Sequence, residues 1–424
     1  NLVLYKNPLE NGFIFIKIAI SGDLFLLSSA LRVILFLNSQ KNQKRESHPM
    51  TEQLILKDLL GKPIHIEFKQ KSTTSDAGLI FTHRTIRKLD LGCRISEVIT
   101  DRRNPLFVTH EQNEQVEQRL LQLCAGYEDV NDAQTLRKDP MLTTLVLEQK
   151  NRGKKPDKKQ EELSSAPTLC RMENRVDRAS LKRLIQLQID LYLQRNQKRF
   201  EHEMERTGRL LICMDLDTTD LETHGQQSFA FYNGYYGHTG YVPLVIADGD
   251  NGDLIAVIPR PGNRHATWFL KLIMKRLLER ILEQHPHARF KFRADSGFQS
   301  ESWFSFLETH PSIQIATIAL VSNSTLNKLT QEAVSQFETA HANRADPSVN
   351  LIHFGGIGYR ADSWSRFRRV IFQISRTHFE TTEIRYYFTT DHDTSSELIK
   401  QDYNQRSDLE NRIKEWKTHL FASR

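Results

Sequence analysis

The stretch 209–321 alternates between strand-like and helix-like patterns in an order that leaves few folds open. Leu210-Leu-Ile-Cys-Met-Asp-Leu-Asp217 is a short apolar run ending in acids and then Thr218-Thr219, the pattern of a buried strand feeding a turn. Residues 241–247 and 254–258 read as two more strands, joined across Asp248-Gly-Asp-Asn-Gly-Asp253, where Asn251-Gly252 is a strong hairpin signal. The acids of that turn resemble a calcium loop only superficially, because the glycine is misplaced and no glutamate closes the loop. Residues 265–285 have the period of a long helix, with Phe269, Leu272, Ile273, Leu277 and Ile281 on one face. A strand over 289–294 then ends at Asp295-Ser-Gly-Phe298, and a shorter helix (301–308) and a strand (313–321) follow. Three antiparallel strands, then helix, strand, helix and strand, describe a mixed α/β sheet flanked by helices.

The flanking segments differ in character. Residues 50–205 are mainly helical in pattern, with Leu181, Leu184, Ile185, Ile189 and Tyr192 forming one apolar stripe and a lysine-rich, exposed linker over 149–165. Residues 322–395 turn to β, with strands over 370–374 and 384–388 amid Arg366, Arg368, Arg369, Arg376 and Arg385. Asp391-His-Asp393 reads as a solvated loop. A last helix occupies 396–424.

Of the 424 residues, lysine and arginine outnumber the acids enough to give a net charge of +6, which suits a polyanionic partner without requiring one. Cys93, Cys124, Cys170 and Cys213 form no C-x-x-C pair, so thiols in a reducing cytoplasm are expected rather than a zinc site. The first methionine is Met50, and residues 1–49 read as translated sequence upstream of a native start. The apolar segment 12–37 is interrupted by Lys17, Asp23 and Arg32, which suits neither a membrane span nor a signal peptide.

Carboxylates at strand ends are the first candidates for chemistry, because side chains there converge with neighbouring elements. Asp215 and Asp217 share one face of their strand, and Asp295 ends the strand expected to pair beside it. Glu410 lies on the last helix, where Tyr403, Arg406, Glu410 and Lys417 fall within an arc of about 60°. Three convergent carboxylates repel unless cations lie between them, and oxygen-only ligation favours magnesium or manganese. Two ions about 4 Å apart would suit in-line displacement at a phosphodiester.

The spacing Y-x2-R-x3-E-x6-K, met by Tyr403, Arg406, Glu410 and Lys417, resembles the signature of bacterial insertion-sequence transposases of the DDE class, which have a ribonuclease H-like catalytic domain. Asp215-Leu-Asp-Thr-Thr219, Thr223-His-Gly-Gln-Gln227, Phe231-Tyr-Asn-Gly-Tyr-Tyr-Gly237, Arg260-Pro-Gly-Asn263 with His265, and Arg293-Ala-Asp-Ser-Gly-Phe298 are similar to the same family. So are Gly126-Tyr-Glu-Asp129 and Pro167-Thr-Leu-Cys-Arg-Met-Glu-Asn-Arg175 upstream.

The resemblance implies a ribonuclease H-like mixed sheet flanked by helices (206–321), a β-rich insertion (322–395) before the last catalytic helix (396–424), and a helical DNA-binding region (50–205). It implies that Asp217, Asp295 and Glu410 hold two Mg2+ (or Mn2+) ions, with Asp215 the alternative first acid and metal ligand. Tyr403, Arg406 and Lys417 would hold phosphates of the transposon end. Trp364 is expected to pack in the insertion rather than stack on a base, and His224, His238 and His265 to be structural or DNA-contacting. The implied activity is strand cleavage at terminal inverted repeats and transfer of the 3′ ends to target DNA, by a homodimer on double-stranded DNA, in the bacterial cytoplasm at the nucleoid and away from membranes. A related nuclease without strand transfer and a non-catalytic DNA-binding remnant are the alternatives, the latter because relatives continue past the signature lysine and this C-terminus reads as truncated.

Overall fold

The computed structural model describes residues 54–56, 64–66, 73–151, 161–223, 227–344, 351–376 and 381–419. The expectations for residues 1–49, for most of the lysine-rich linker and for His224 lie outside them. Among the described residues, no helix is long and apolar enough to cross a membrane.

Strand β1 (Leu210–Thr218) organises the molecule. Its side chains alternate: Leu210, Ile212, Met214 and Leu216 enter one core, whereas Asp215 and Asp217 point to the opposite face. β2 (Leu244–Asp248) and β3 (Leu254–Ile258) continue the sheet antiparallel on one side of β1. On the other side β4 (Ala288–Ala294) and β5 (Ile313–Leu320) run parallel to it. Three antiparallel strands with two parallel ones on the far side of the first is the ribonuclease H arrangement expected from the sequence.

The sheet does not stop there. β6 (Ile352–Tyr359), β7 (Arg368–Arg376) and β8 (Thr382–Thr389) extend it through the antiparallel pairing of β8 with β5, giving eight strands in the order β6-β7-β8-β5-β4-β1-β2-β3. The β-rich insertion is thus built onto the central sheet itself. Two helices expected as β-patterned sequence, α8 (Ser324–Leu329) and α9 (Gln331–Ala342), precede these strands. Trp364 is packed against Phe304, Tyr359 and Phe388, in keeping with the packing reading. Its arginine neighbours are structural as well, since Arg366 and Arg368 pair with Glu308, and Arg368 also with Glu301.

Helices α1 (Leu79–Lys88), α2 (Leu91–Val98), α3 (Gln112–Cys124), α4 (Ala166–Glu173) and α5 (Arg178–Thr207) lead into β1. The first four share one core with Val245, Ala247, Leu254 and Val257 of β2 and β3. Buried Arg119 ties this unit together, pairing with Glu173 at 2.7 Å and donating to the carbonyls of Tyr127 and Glu128. The Gly126–Asp129 and Pro167–Arg175 blocks therefore meet at one guanidinium. The turn 248–253 is anchored by Asp248, which accepts from Tyr192 at 2.5 Å and from Arg199.

The opposite sheet face packs on α6 (Leu270–Gln284) and α7 (Glu301–Thr309). Here the expected apolar stripe is corrected. Leu270, Met274, Leu277, Leu278 and Ile281 are buried, whereas Phe269 and Leu272 are exposed. The inward face is rotated from the one read off the sequence, and the helix starts only after Phe269, whose left-handed backbone (φ 51°) ends the preceding turn.

The last helix is also corrected. It divides into α10 (Ser396–Asn404) and α11 (Ser407–His419) at Gln405-Arg406. The backbone tightens there: the amides of Gln405, Arg406, Asp408 and Leu409 each bond to the carbonyl three residues back, and the Ser407 hydroxyl takes the Asn404 carbonyl at 2.9 Å. α11 buries Leu409 and Trp416 against the β2–β3 side, so the break lies directly above the acidic face of β1.

Candidate active site

Parallel pairing of β1 with β4 sets Leu216 opposite Ala294, so the next residues of each, Asp217 and Asp295, leave neighbouring strand ends side by side. Asp295 caps the short turn that follows, accepting the Gly297 amide at 3.1 Å, so the cap role and a place in the acidic cluster coexist. Asp217 accepts the Thr218 amide at 2.7 Å. Burial raises the carboxyl of Asp217 to about 6, with Arg406 opposing and Asp295 and Glu410 adding to the rise. Asp295 is raised for the same reasons, with Arg406 and His265 opposing. The three acids named from the sequence therefore feel one another's charge across the break between α10 and α11.

Arg406 fills the space between them. Its guanidinium lies 3.0 Å from Asp217 and 2.8 Å from Glu410, and its Nε donates to the Leu216 carbonyl at 3.4 Å. It is buried, which disfavours its charge, yet Asp217, Tyr403, Asp295 and Glu410 hold it above its ordinary value. Glu410 itself has 61 % of its side chain exposed, at the mouth of the cluster.

The other signature residues also turn toward the protein. Tyr403 donates to the Ala294 carbonyl at 3.2 Å and packs on Tyr387, and burial pushes its phenol up to about 12. Lys417 lies 2.5 Å from Asp220. Asp220 receives His238 at 3.0 Å from the other side, and despite partial burial these partners hold its carboxyl below the usual range. Sequence reasoning missed Asp220. Its one available signal was a third acid in the block Asp215–Asp220.

Asp215, the alternative first acid, is taken up elsewhere. Arg293, one strand over and opposite it in register, grips both carboxylate oxygens at 2.6 and 2.8 Å. The same guanidinium donates to the Asp402 carbonyl at 2.7 Å, the Gly249 carbonyl at 3.1 Å and Gln405 at 3.2 Å. Asp215 thus acts here as the counter-ion of a buried strut, and Asp217 is the carboxylate that faces Asp295 and Glu410.

The donor set suits a hard divalent cation: oxygen only, partly desolvated, and more negative than one arginine compensates. The ligand geometry is not closed, because among the described residues no three histidine, cysteine or acidic side chains are grouped closely enough to hold one ion. Arg406 occupies the intervening position as an internal cation. Replacing Arg406 by glutamine should therefore lower the stability of the metal-free protein by about 2–3 kcal/mol, as unpaired buried carboxylates do. Added Mn2+ should then raise its melting temperature more than it raises that of the unmodified protein. Equal manganese shifts in a thermal melt would show that the guanidinium does not occupy the cation's place.

With the sheet, the strand-end acids and the covering helix in place, the chain is defined as a mixed α/β protein with a cluster of carboxylates at adjoining strand ends beneath a helix junction. It belongs to the family described as Transposase DDE domain group 1, which matches residues 56–424. The family consists of transposases, an enzyme class of nucleases and strand transferases that generally use divalent metal ions. No curated protein matches the chain. Among solved structures it is similar to the piggyBac transposase synaptic complex with hairpin DNA, at 13 % identity and a TM-score of 0.37, covering 83 % of this chain and 71 % of that one.

Proposed function

We propose that the protein is the transposase of a bacterial insertion sequence, which binds the element's terminal inverted repeats, cleaves at the ends and joins the freed 3′ ends to target DNA. The observation that carries this reading is the adjacency of Asp217 and Asp295 at neighbouring parallel strand ends, with Glu410 lowered over them by Arg406. Asp217, Asp295 and Glu410 would hold two Mg2+ or Mn2+ ions. When bound, such ions activate a hydroxyl nucleophile and stabilise the leaving oxygen in an in-line displacement.

The chain's own residues do the positioning. Asp217 and Asp295 are fixed by backbone amides, and the outer oxygen of Asp217 is freed when Arg406 moves off it. Arg406 and Lys417 each hold an internal carboxylate that a DNA phosphate can replace, so both become phosphate ligands when DNA arrives. Tyr403 wedges the end of α10 onto the Ala294 carbonyl and keeps Arg406 in register with the strand ends.

A donor plasmid carrying the DNA that borders the protein's reading frame, incubated with purified protein, Mg2+ and a target plasmid, tests the reading. Joined donor–target products are expected. Nicks without joining would leave a nuclease, and binding without nicks a non-catalytic remnant.

A further inference from the structure

The loop between β3 and α6 folds tightly beside the second acid. Its Arg264 amide returns to the Pro261 carbonyl at 3.2 Å, and its Trp268 amide to the His265 carbonyl at 2.9 Å. Arg260 fixes the loop from behind, donating to the Val242 carbonyl at 3.1 Å and to the Ala266 carbonyl at 2.6 Å. That guanidinium is 1 % exposed, and among the described residues no carboxylate pairs with it. A buried cation held by carbonyls alone is costly, and what it secures here is the course of residues 260–266. Gly297, in the turn that Asp295 caps, marks how close this loop comes. A Cβ on Gly297 would lie 3.2 Å from one carboxylate oxygen of Asp295 and 3.5 Å from the Cβ of Ala266. His265 is thus the neighbour of a residue that flanks the same glycine as Asp295, near enough for a charge on its ring to oppose the rise of that carboxyl.

The hydrogen of the imidazole is placed by its own turn. Nδ1 takes the Thr267 amide at 3.3 Å and lies 2.9 Å from the Thr267 hydroxyl. A backbone amide only donates, so Nδ1 is the acceptor and the hydrogen of the neutral ring belongs on Nε2. The residue is exposed, and among the described residues no acceptor meets Nε2. Arg406 and Lys417, by contrast, rest on carboxylates of the chain itself. His265 therefore holds an oriented N–H at the rim of the acids.

From this juxtaposition we propose that His265 is a further catalytic residue, donating a hydrogen bond from Nε2 to a non-bridging oxygen of the phosphodiester being cut. The proposal rests on the transposase reading above. Negative charge is spread over the non-bridging oxygens in the transition state of such a displacement. A donor already aimed at one of them stabilises that state without reorganising, and no proton changes hands. The ring bonds within its own turn and lies outside the core, so its replacement leaves the fold intact.

The test uses the full chain, Mg2+ and a duplex carrying the DNA that borders the reading frame. The phosphodiester that the unmodified protein nicks is supplied in its ordinary form and as each of the two phosphorothioate diastereomers, and single-turnover nicking is measured. On the ordinary duplex His265→Ala should nick about 100-fold more slowly, the usual loss of one transition-state donor, while binding the duplex as before. His265→Gln should keep most of the rate, because its amide can accept from Thr267 and donate outward. Sulfur is a poor acceptor. In the diastereomer that puts sulfur where the ring donates, the alanine change should therefore cost little further, and in the other it should cost the full amount. An equal alanine cost on every duplex, or none on the ordinary one, overturns the proposal while leaving the transposase reading standing. Absence of nicking by the unmodified protein overturns both.

Discussion

Asp295→Ala is expected to abolish Mg2+-dependent nicking of the element's ends, with a loss of at least about 10^3-fold in single-turnover rate. The strand β4 supplies only this acid to the cluster, and its neighbour across the sheet, Asp217, cannot move to replace it because β1 is buried on both faces. Binding of the end DNA should survive, since the cations proposed to meet phosphate, Arg406 and Lys417, lie on α11 and its junction. If nicking persisted in the alanine variant, the second acid would have to be sought elsewhere. The same centre sets a pH dependence. Asp217 titrates near 6 in the fold against 3.8 in a free chain, so the folded protein favours its protonated form. In the absence of metal this group's contribution to stability is fully present below about pH 4 and is lost as the pH rises through about 6. Protons and divalent ions compete for the same oxygens, so nicking should weaken as the pH falls through about 6 and be rescued there by more metal. An acid limb that kept its position as the metal concentration rose would remove Asp217 from the metal site.

Much of this was legible because the decisive elements carry short-range signatures. β1 announces itself as an apolar run ending in acids, and period-2 alternation alone places Asp215 and Asp217 on one face. The order of strands and helices after it identified the sheet before any contact was known. What was not legible depends on long-range partners. The sequence does not say that Arg293, one strand away, grips both carboxylate oxygens of Asp215. Nor does it say that Asp220 and His238 bracket Lys417. The strand β6 escaped because Ile352-His-Phe-Gly-Gly-Ile-Gly-Tyr359 is glycine-rich and half-exposed, and lacks the apolar density that marks its neighbours. The break in the last helix escaped because Gln405, Arg406 and Ser407 are ordinary helix residues. At that junction Arg293 holds the Asp402 carbonyl and Gln405, and the Tyr403 hydroxyl holds the Ala294 carbonyl, long-range contacts with no local signal.

That grip leads to the second large effect. Arg293→Ala should destabilise the protein by about 3–5 kcal/mol, read as a fall in the urea midpoint, because it strands a buried carboxylate. Both partners are almost fully enclosed, and burial already works against the charge on each, raising Asp215 while its arginine partner holds it down. The cost is greater than that of one ion pair, since the same guanidinium satisfies two carbonyls and Gln405. Removing it also frees the Asp402–Gln405 segment, and with it the placement of Arg406 and Glu410 over the strand ends. Replacing both charged partners by apolar residues, Asp215→Leu with Arg293→Met, separates the two roles. The double variant should recover most of the lost stability, because no buried charge is left unpaired. Its nicking activity should nonetheless remain low, since methionine cannot hold the Asp402 carbonyl or Gln405. Recovery of activity together with stability would mean that the strut serves folding alone, and that the α10–α11 junction finds its position over the acids without it.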